Sequence, residues 1–371
     1  MIYLDHGATS YPKPPQVVAA LRDAAVHATS PGRGGYSTAM LGSKIVFDCR
    51  LAAAEFFHCR PEQVVFTGSC TQSLNIAIHD LVKSGDKVII SGFEHNAVTR
   101  TLKGYGAKIL VAGRKLFDWY DMLVQFEEAL RKGADLAIFS HVSNVFGYIL
   151  PIEDMASLCR KYDVPFIVDA AQSAGKLPID FEALGADFVA MPGHKGLLAA
   201  QGTGVLLCKK PPKPLVFGGT GSDSILQDMP VYLPDRLEAG TVNVPGIGSL
   251  LAGLNFLKKV GIETIEKGES QQVKFCAREL QKRGVITFFG EHQAGTLSFV
   301  PKMDCEDFAA RLADMGIAVR AGLHCAPLAH ESAGTLSTGT VRVSFGYNAS
   351  CYQSNRLLYC VDKILRKTEK N

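Results

Sequence analysis

No apolar run in the 371-residue chain is long enough to cross a bilayer. The first residues, Met1-Ile2-Tyr3-Leu4-Asp5-His6, lack the basic start and apolar stretch of a secretion signal. No cluster of lysines and arginines stands out, and the net charge is only +3, so neither nucleic acid nor a membrane surface is an expected partner. The ten cysteines are scattered and contain no C-x-x-C pair, which leaves no zinc or dithiol signature; no metal is expected. Internal repeats and low-complexity tracts are also missing. The expected compartment is a reducing one, the cytoplasm.

What remains is a globular composition, with 47% hydrophobic and 20% charged residues. The length favours one large domain plus a smaller one. Short Val/Ile-rich runs read as strands at 64–67, 87–90, 108–111, 136–139, 166–168, 188–190 and 204–207. Helical patterns such as 119–131 and 152–162 separate them. Apolar strands alternating with helices predict an α/β fold, a mostly parallel sheet of seven strands covered on both faces. The turn-rich Pro211-Pro212-Lys213-Pro214 leaves that core, and amphipathic helices with a few strands follow. Residues 14–255 are therefore expected to form the large domain. Residues 1–13 and 256–371 are expected to form a smaller α+β domain.

Ligands of such sheets bind beyond the carboxyl ends of the strands, and two residues at those ends stand out. Asp169 closes the run Phe166-Ile167-Val168-Asp169, and Lys195 follows the next strand in Gly193-His194-Lys195-Gly196. A lysine able to form a Schiff base and a carboxylate able to keep a pyridine nitrogen protonated are what pyridoxal phosphate (PLP) requires. Taken alone, Lys195 also fits an ordinary solvated loop lysine. The turn Gly68-Ser69-Cys70-Thr71 opens a helical pattern and reads equally as a phosphate site or a simple cap. His95 at another strand end could stack on a ring and shuttle protons, or serve structure only. Asn144 and Gln172 could hydrogen-bond a phenolate oxygen or a substrate. Cys325, in Arg320-Ala321-Gly322-Leu323-His324-Cys325-Ala326-Pro327, sits beside a histidine and near an arginine, surroundings that favour a nucleophilic thiolate, although a buried structural cysteine is the default reading. The other cysteines read as small buried hydrophobes. Arg342 could clamp a carboxylate with two parallel hydrogen bonds, or form a surface ion pair.

Together these residues resemble the class V aminotransferases of PLP fold type I, and among them the group II (SUF-type) cysteine desulfurases. The resemblance runs nearly end to end, through Tyr3-Leu4-Asp5, Glu94-His95, His141 to Asn144, Asp169 to Ser173, Gly193 to Lys195, Leu237 to Thr241, Arg320 to Pro327 and Val341 to Ser344. It implies that Lys195 holds PLP and acts as the base at Cα. Asp169 would pair with the pyridine nitrogen, His95 would stack on the ring, and Gln172 would meet the phenolate oxygen. Asn144 would touch both cofactor and substrate. The phosphate would be held by the Cys70-Thr71 turn, by His194, and by Thr241 from the other subunit of a homodimer. Arg342, with Arg320 nearby, would receive the substrate carboxylate.

By the same resemblance, L-cysteine would become L-alanine while its sulfur passes to Cys325 as a persulfide and then to an acceptor protein. Cys325 is what separates a desulfurase from an aminotransferase. A selenocysteine lyase acting on L-selenocysteine, another class V lyase, or a PLP-binding sulfur-transfer scaffold would use the same residues. The intact Lys195, Asp169, His95, Arg342 and Cys325 weigh against the scaffold. Iron–sulfur cluster assembly, thio-modified tRNA and selenium metabolism stay open as destinations of the sulfur.

The chain departs from the family pattern at four places. Asp5-His6-Gly7-Ala8-Thr9 replaces Asp-Asn-Ala-Ala-Thr, Cys70 replaces a threonine, Pro192 replaces a phosphate-binding serine, and Ala199-Ala200 replaces Gly-Pro. The expectation is a cofactor still bound, with fewer contacts to its phosphate.

Overall fold

The computed structural model describes residues 1–32 and 34–368. In chain order its elements begin with β1 (Ile2–Tyr3), α1 (Pro15–His27), α2 (Ser37–Phe56), β2 (Val64–Thr67), α3 (Cys70–Leu81), β3 (Lys87–Ser91), α4 (Asn96–Gly104) and β4 (Lys108–Ala112). Next come α5 (Trp119–Arg131), β5 (Leu136–Ser140), α6 (Ile152–Tyr162), β6 (Phe166–Asp169), α7 (Phe181–Leu184), β7 (Phe188–Pro192), β8 (Gly204–Cys208), α8 (Val244–Val260) and α9 (Ile262–Lys282). The chain ends with β9 (Ile286–Phe288), β10 (Thr296–Val300), α10 (Cys305–Asp314), β11 (Ile317–Ala318), β12 (Arg320–Gly322), α11 (Pro327–Ser332), β13 (Thr340–Ser344) and α12 (Cys351–Thr368).

The expected α/β sheet is present, with seven strands in the order β2-β8-β7-β6-β5-β3-β4. Only β8 runs against the others, because it pairs antiparallel with both neighbours. Strands β5 to β8 are buried at every position. This is why they read as unbroken apolar runs, since helices cover both faces. On one face Ile89, Phe139, Val168 and Val189 pack against helices that include α2, α5 and α6. On the other, Val88, Ile138, Ile167 and Ala190 pack against α3 and α4.

A second, four-stranded sheet in the order β12-β13-β10-β9 packs with α9, α10 and α12 around Phe299, Phe308 and Val343. The N-terminus joins this half, because β1 pairs in parallel with β11 and Asp5 bridges to Ser344. Helix α8 runs through residue 255, where the sequence reading ended the large domain, so the link between the halves there is helical.

The segment carrying Thr241 is tied to the sheet by one buried ion pair. Arg50 meets Glu238 at 2.8 Å, with both side chains about a tenth exposed or less, and Glu238 also accepts the Phe66 N–H at 2.7 Å. Removing one partner of such a pair strands a buried charge, at a cost of about 3–5 kcal/mol.

Candidate active site

Strands β3, β5, β6 and β7 are parallel, so their carboxyl ends open on one side of the sheet. There a cavity of about 120 Å³ is walled by His95, Ser140, Asp169, His194 and Lys195. Cys70, Thr71, Asn144 and Gln172 also line it. Eight of the residues singled out in the sequence, from five separate segments, thus meet in one place.

Lys195 is half-buried in the turn after β7. Burial lowers its pKa; Cys70 and Asp169 oppose the shift, while Arg342 and Arg320 reinforce it. More of the amine is therefore neutral at neutral pH, the form a nucleophile or base requires. Gly196 lets this turn press on its neighbour, because a Cβ there would collide with the Ala174 carbonyl oxygen. Lys13 donates to the His194 carbonyl at 2.7 Å, and the hydroxyls of Thr9 and Ser10 bond the same oxygen. Thr9 Oγ1 also lies 3.1 Å from Nδ1 of His194. Burial pushes the His194 pKa down to about 4, so its ring is neutral.

Asp169 is buried at the end of β6, where its Oδ1 accepts the Ala171 N–H at 2.8 Å. The thiol of Cys70 also points at this oxygen, at 3.5 Å. Burial raises the Cys70 pKa well above the usual range, so the thiol keeps its proton and donates to Asp169. The Cys70 side chain therefore serves the carboxylate, which leaves only its backbone N–H available to an anion. Ser69 caps α3 by accepting the Gln72 N–H at 3.2 Å. The N–H groups of Cys70 and Thr71 lie at this helix start, where the dipole favours an anion. Thr71 is exposed.

His95 caps α4, its Nδ1 accepting the Ala97 N–H at 3.0 Å. That bond leaves the ring proton on Nε2 in the neutral form. Burial lowers the His95 pKa more than Asp169 raises it. The preceding Glu94 is fully buried and accepts from Ser91 Oγ at 2.5 Å and from the N–H and hydroxyl of Ser140. It locks the ends of β3 and β5 together. Nothing in the local sequence assigns Glu94 a role; an acid three residues past an apolar strand is its only signal.

Cys325 is exposed, and its loop is fastened to the cavity rim. Its carbonyl accepts the Asn96 N–H at 2.8 Å, and Asn144 Nδ2 donates to the His324 carbonyl at 2.8 Å. His324 and Cys325 both hold left-handed backbone, with φ of 50° and 58°. Arg320 places a permanent cation 3.7 Å from the Cys325 sulfur. His324 is buried with Nε2 3.1 Å from Thr340 Oγ1, and burial pushes its pKa down to about 2.

Three residues depart from the simplest expectation. Gln172 is committed through Nε2 to the Gly7 carbonyl at 3.0 Å. Arg342 is only 1% exposed, with Nη2 on Asp5 at 2.6 Å and Nη1 on the Asn144 carbonyl at 3.0 Å. Thr241 is exposed and lines a different hollow, of about 360 Å³, with Arg50 and Glu238.

The residues fit PLP. The cavity offers an amine, a buried carboxylate, a neutral imidazole and a helix start, and the buried Oδ1 of Asn144 has no partner. Pro192, which has no hydroxyl to offer, is part of the cavity wall.

Comparison with known proteins agrees. The family profile described as Aminotransferase class-V matches residues 2–356. A probable cysteine desulfurase of Pyrococcus abyssi is 31% identical, the match covering 99% of this chain and 94% of the relative. One of Methanothermobacter thermautotrophicus is 30% identical, covering 93% and 90%. The apo structure of a cysteine desulfurase from Thermococcus onnurineus NA1 superposes with a TM-score of 0.89 at 31% identity, covering 99% of this chain and 95% of that one.

Proposed function

The chain belongs to the class-V aminotransferase family, and from that premise we propose that it is a PLP-dependent cysteine desulfurase of the group II kind. The observation that carries the reading is the Cys325 loop, hydrogen-bonded to the rim of the cavity that holds Lys195, Asp169 and His95. When bound, PLP supplies an electron sink for the pair left behind as a proton leaves the substrate Cα.

The protein's own groups do the rest. Lys195 holds the cofactor and, as a partly desolvated amine, takes and returns the proton at Cα. Asp169 pairs with the pyridine nitrogen and is oriented by the Ala171 N–H and the Cys70 thiol. His95 presents Nε2–H to the cavity, and the start of α3 receives the phosphate together with His194. Asn144 and Gln172 fix the polar rim, and Arg342 receives the substrate carboxylate.

Cys325 then attacks the sulfur of L-cysteine. The substrate C–S bond breaks as the S–S bond forms, the electron pair stays with the carbon skeleton, and protons complete L-alanine. One cysteine and one enzyme thiol give one alanine and one Cys325 persulfide, so atoms balance. Arg320 stabilises charge on the acceptor sulfur throughout. A sulfur-acceptor protein would collect the persulfide from this exposed loop.

The test replaces Cys325 with alanine. The variant should keep the visible absorbance of the bound cofactor yet form no persulfide and lose cysteine-dependent alanine production by at least about a hundredfold. Wild-type rates in the Cys325→Ala protein would end the desulfurase reading. Failure to bind PLP at all would end the enzyme reading.

A further inference from the structure

Arg342 is the residue assigned to the substrate carboxylate, yet it is 1% exposed and already holds a carboxylate of its own chain. Its Nη2 lies 2.6 Å from Oδ1 of Asp5, and Nη1 donates to the Asn144 carbonyl. Only Nε is without a partner, and it too is buried. Across the β12–β13 ladder Arg320 sits directly opposite Arg342, and like charges in that position repel. Asp5 is therefore the counter-charge that makes this arginine pair tolerable in the absence of substrate.

The local backbone is built around the contact. Asp5 bridges to Ser344 on the strand that carries Arg342, and the Gly7 N–H donates to Ser344 Oγ at 2.7 Å. A Cβ on Gly7 would lie 3.1 Å from Arg342 Cζ and 3.2 Å from Nη2, so glycine lets the guanidinium press against this strap. Gln172, on the cavity wall, clamps the Gly7 carbonyl.

We propose that Asp5 is a built-in stand-in for the substrate carboxylate. It pairs with Arg342 when the site is empty, and an incoming α-carboxylate must exchange with it. Asp5 thereby sets the affinity for amino-acid substrates without touching the reacting atoms; it acts through Arg342. The inference rests on the reading of Arg342 as the carboxylate receptor. The Asp5 side chain is 17% exposed, against 1% for Arg342, so the acid lies on the more open side of the pair.

The test measures binding of L-alanine and of L-alanine methyl ester to the holoenzyme, read from the spectrum of the bound cofactor. Asp5→Asn keeps a hydrogen-bond acceptor but removes the competing charge. It should tighten alanine binding by roughly tenfold, a difference of about 1.4 kcal/mol, and leave the ester unchanged. Asp5→Glu should return alanine affinity toward wild type. Unchanged or weaker alanine binding in Asp5→Asn overturns the proposal, as does an equal change for acid and ester. If Asp5→Asn fails to fold, Gly7→Ala provides the same readout. Its added Cβ should loosen the Asp5–Arg342 pair and also tighten alanine selectively, and no selective tightening would overturn the exchange. Arg342→Gln tests the underlying reading separately: if it binds alanine as wild type does, the carboxylate receptor lies elsewhere.

Discussion

Glu94 shows how burial sets chemistry at a single residue. Burial raises its pKa to about 7 from 4.5, with Asp169 adding to the rise and the hydrogen bonds from Ser91 and Ser140 opposing it. Between those values the folded protein binds more protons than the unfolded chain, so stability falls as pH rises through the window. The full difference is about 3 kcal/mol. Glu94→Gln cannot ionise, so its stability relative to wild type should improve from about pH 4.5 to about pH 7 and level off above. Thermal midpoints measured across that range check this; parallel curves for the two proteins would refute the assignment. The constant offset between them is not the test, because the amide also alters the bonds to Ser140.

At the scale of elements, helix starts and loop ends place the reacting groups. Helix α3 begins at a serine cap and directs its first N–H groups at the cavity. Ser69→Ala should lower stability by about 1 kcal/mol. It should also weaken PLP binding severalfold, because the helix start is no longer held in register. Equilibrium dialysis of the cofactor alongside denaturant unfolding separates the two effects, and unaltered PLP affinity would remove α3 from the phosphate site. The strands and helices read from the sequence agree with the structure for a simple reason. All seven strands are short apolar runs bounded by turns; β5 to β8 are buried at every position, while the edge strand β4 opens exposed. Helices Trp119–Arg131 and Ile152–Tyr162 kept a clear apolar stripe for the same reason. The left-handed pair His324-Cys325 left no such trace, since non-glycine residues adopt that backbone rarely and no local pattern marks where they do.

The whole molecule raises the question of a partner. Thr241 and Phe47 line one open hollow, and Phe217 and Ile225, in the segment leading to Thr241, are 74% and 94% exposed. Exposed apolar groups of this size are what an association surface offers. Thr241 does not line the Lys195 cavity of its own chain, which is what the proposed role in the other subunit of a homodimer requires. Light scattering on the purified holoenzyme should therefore give the mass of two chains. Ile225→Glu should shift it toward one chain and loosen the cofactor in the same step. A wild-type monomer that retains PLP would exclude the proposed role of Thr241.

The chemical alphabet of this protein was legible in its sequence. Lys195, Asp169 and His95 stand at or just past the ends of apolar strands and Cys325 between glycine and proline, and residue type with such a position is local information. Glu94 was visible but uninterpreted, because its partners Ser91 and Ser140 come together only when β3 and β5 align. The committed state of Arg342 could not be read at all. Asp5 lies 337 residues away, and the two meet only because β1 pairs with β11 and brings the N-terminus beside β13. Local sequence determined which groups are available and where each strand ends. The tertiary structure decided which of them are desolvated, paired or free, because burial and charge pairing depend on neighbours the chain brings from afar.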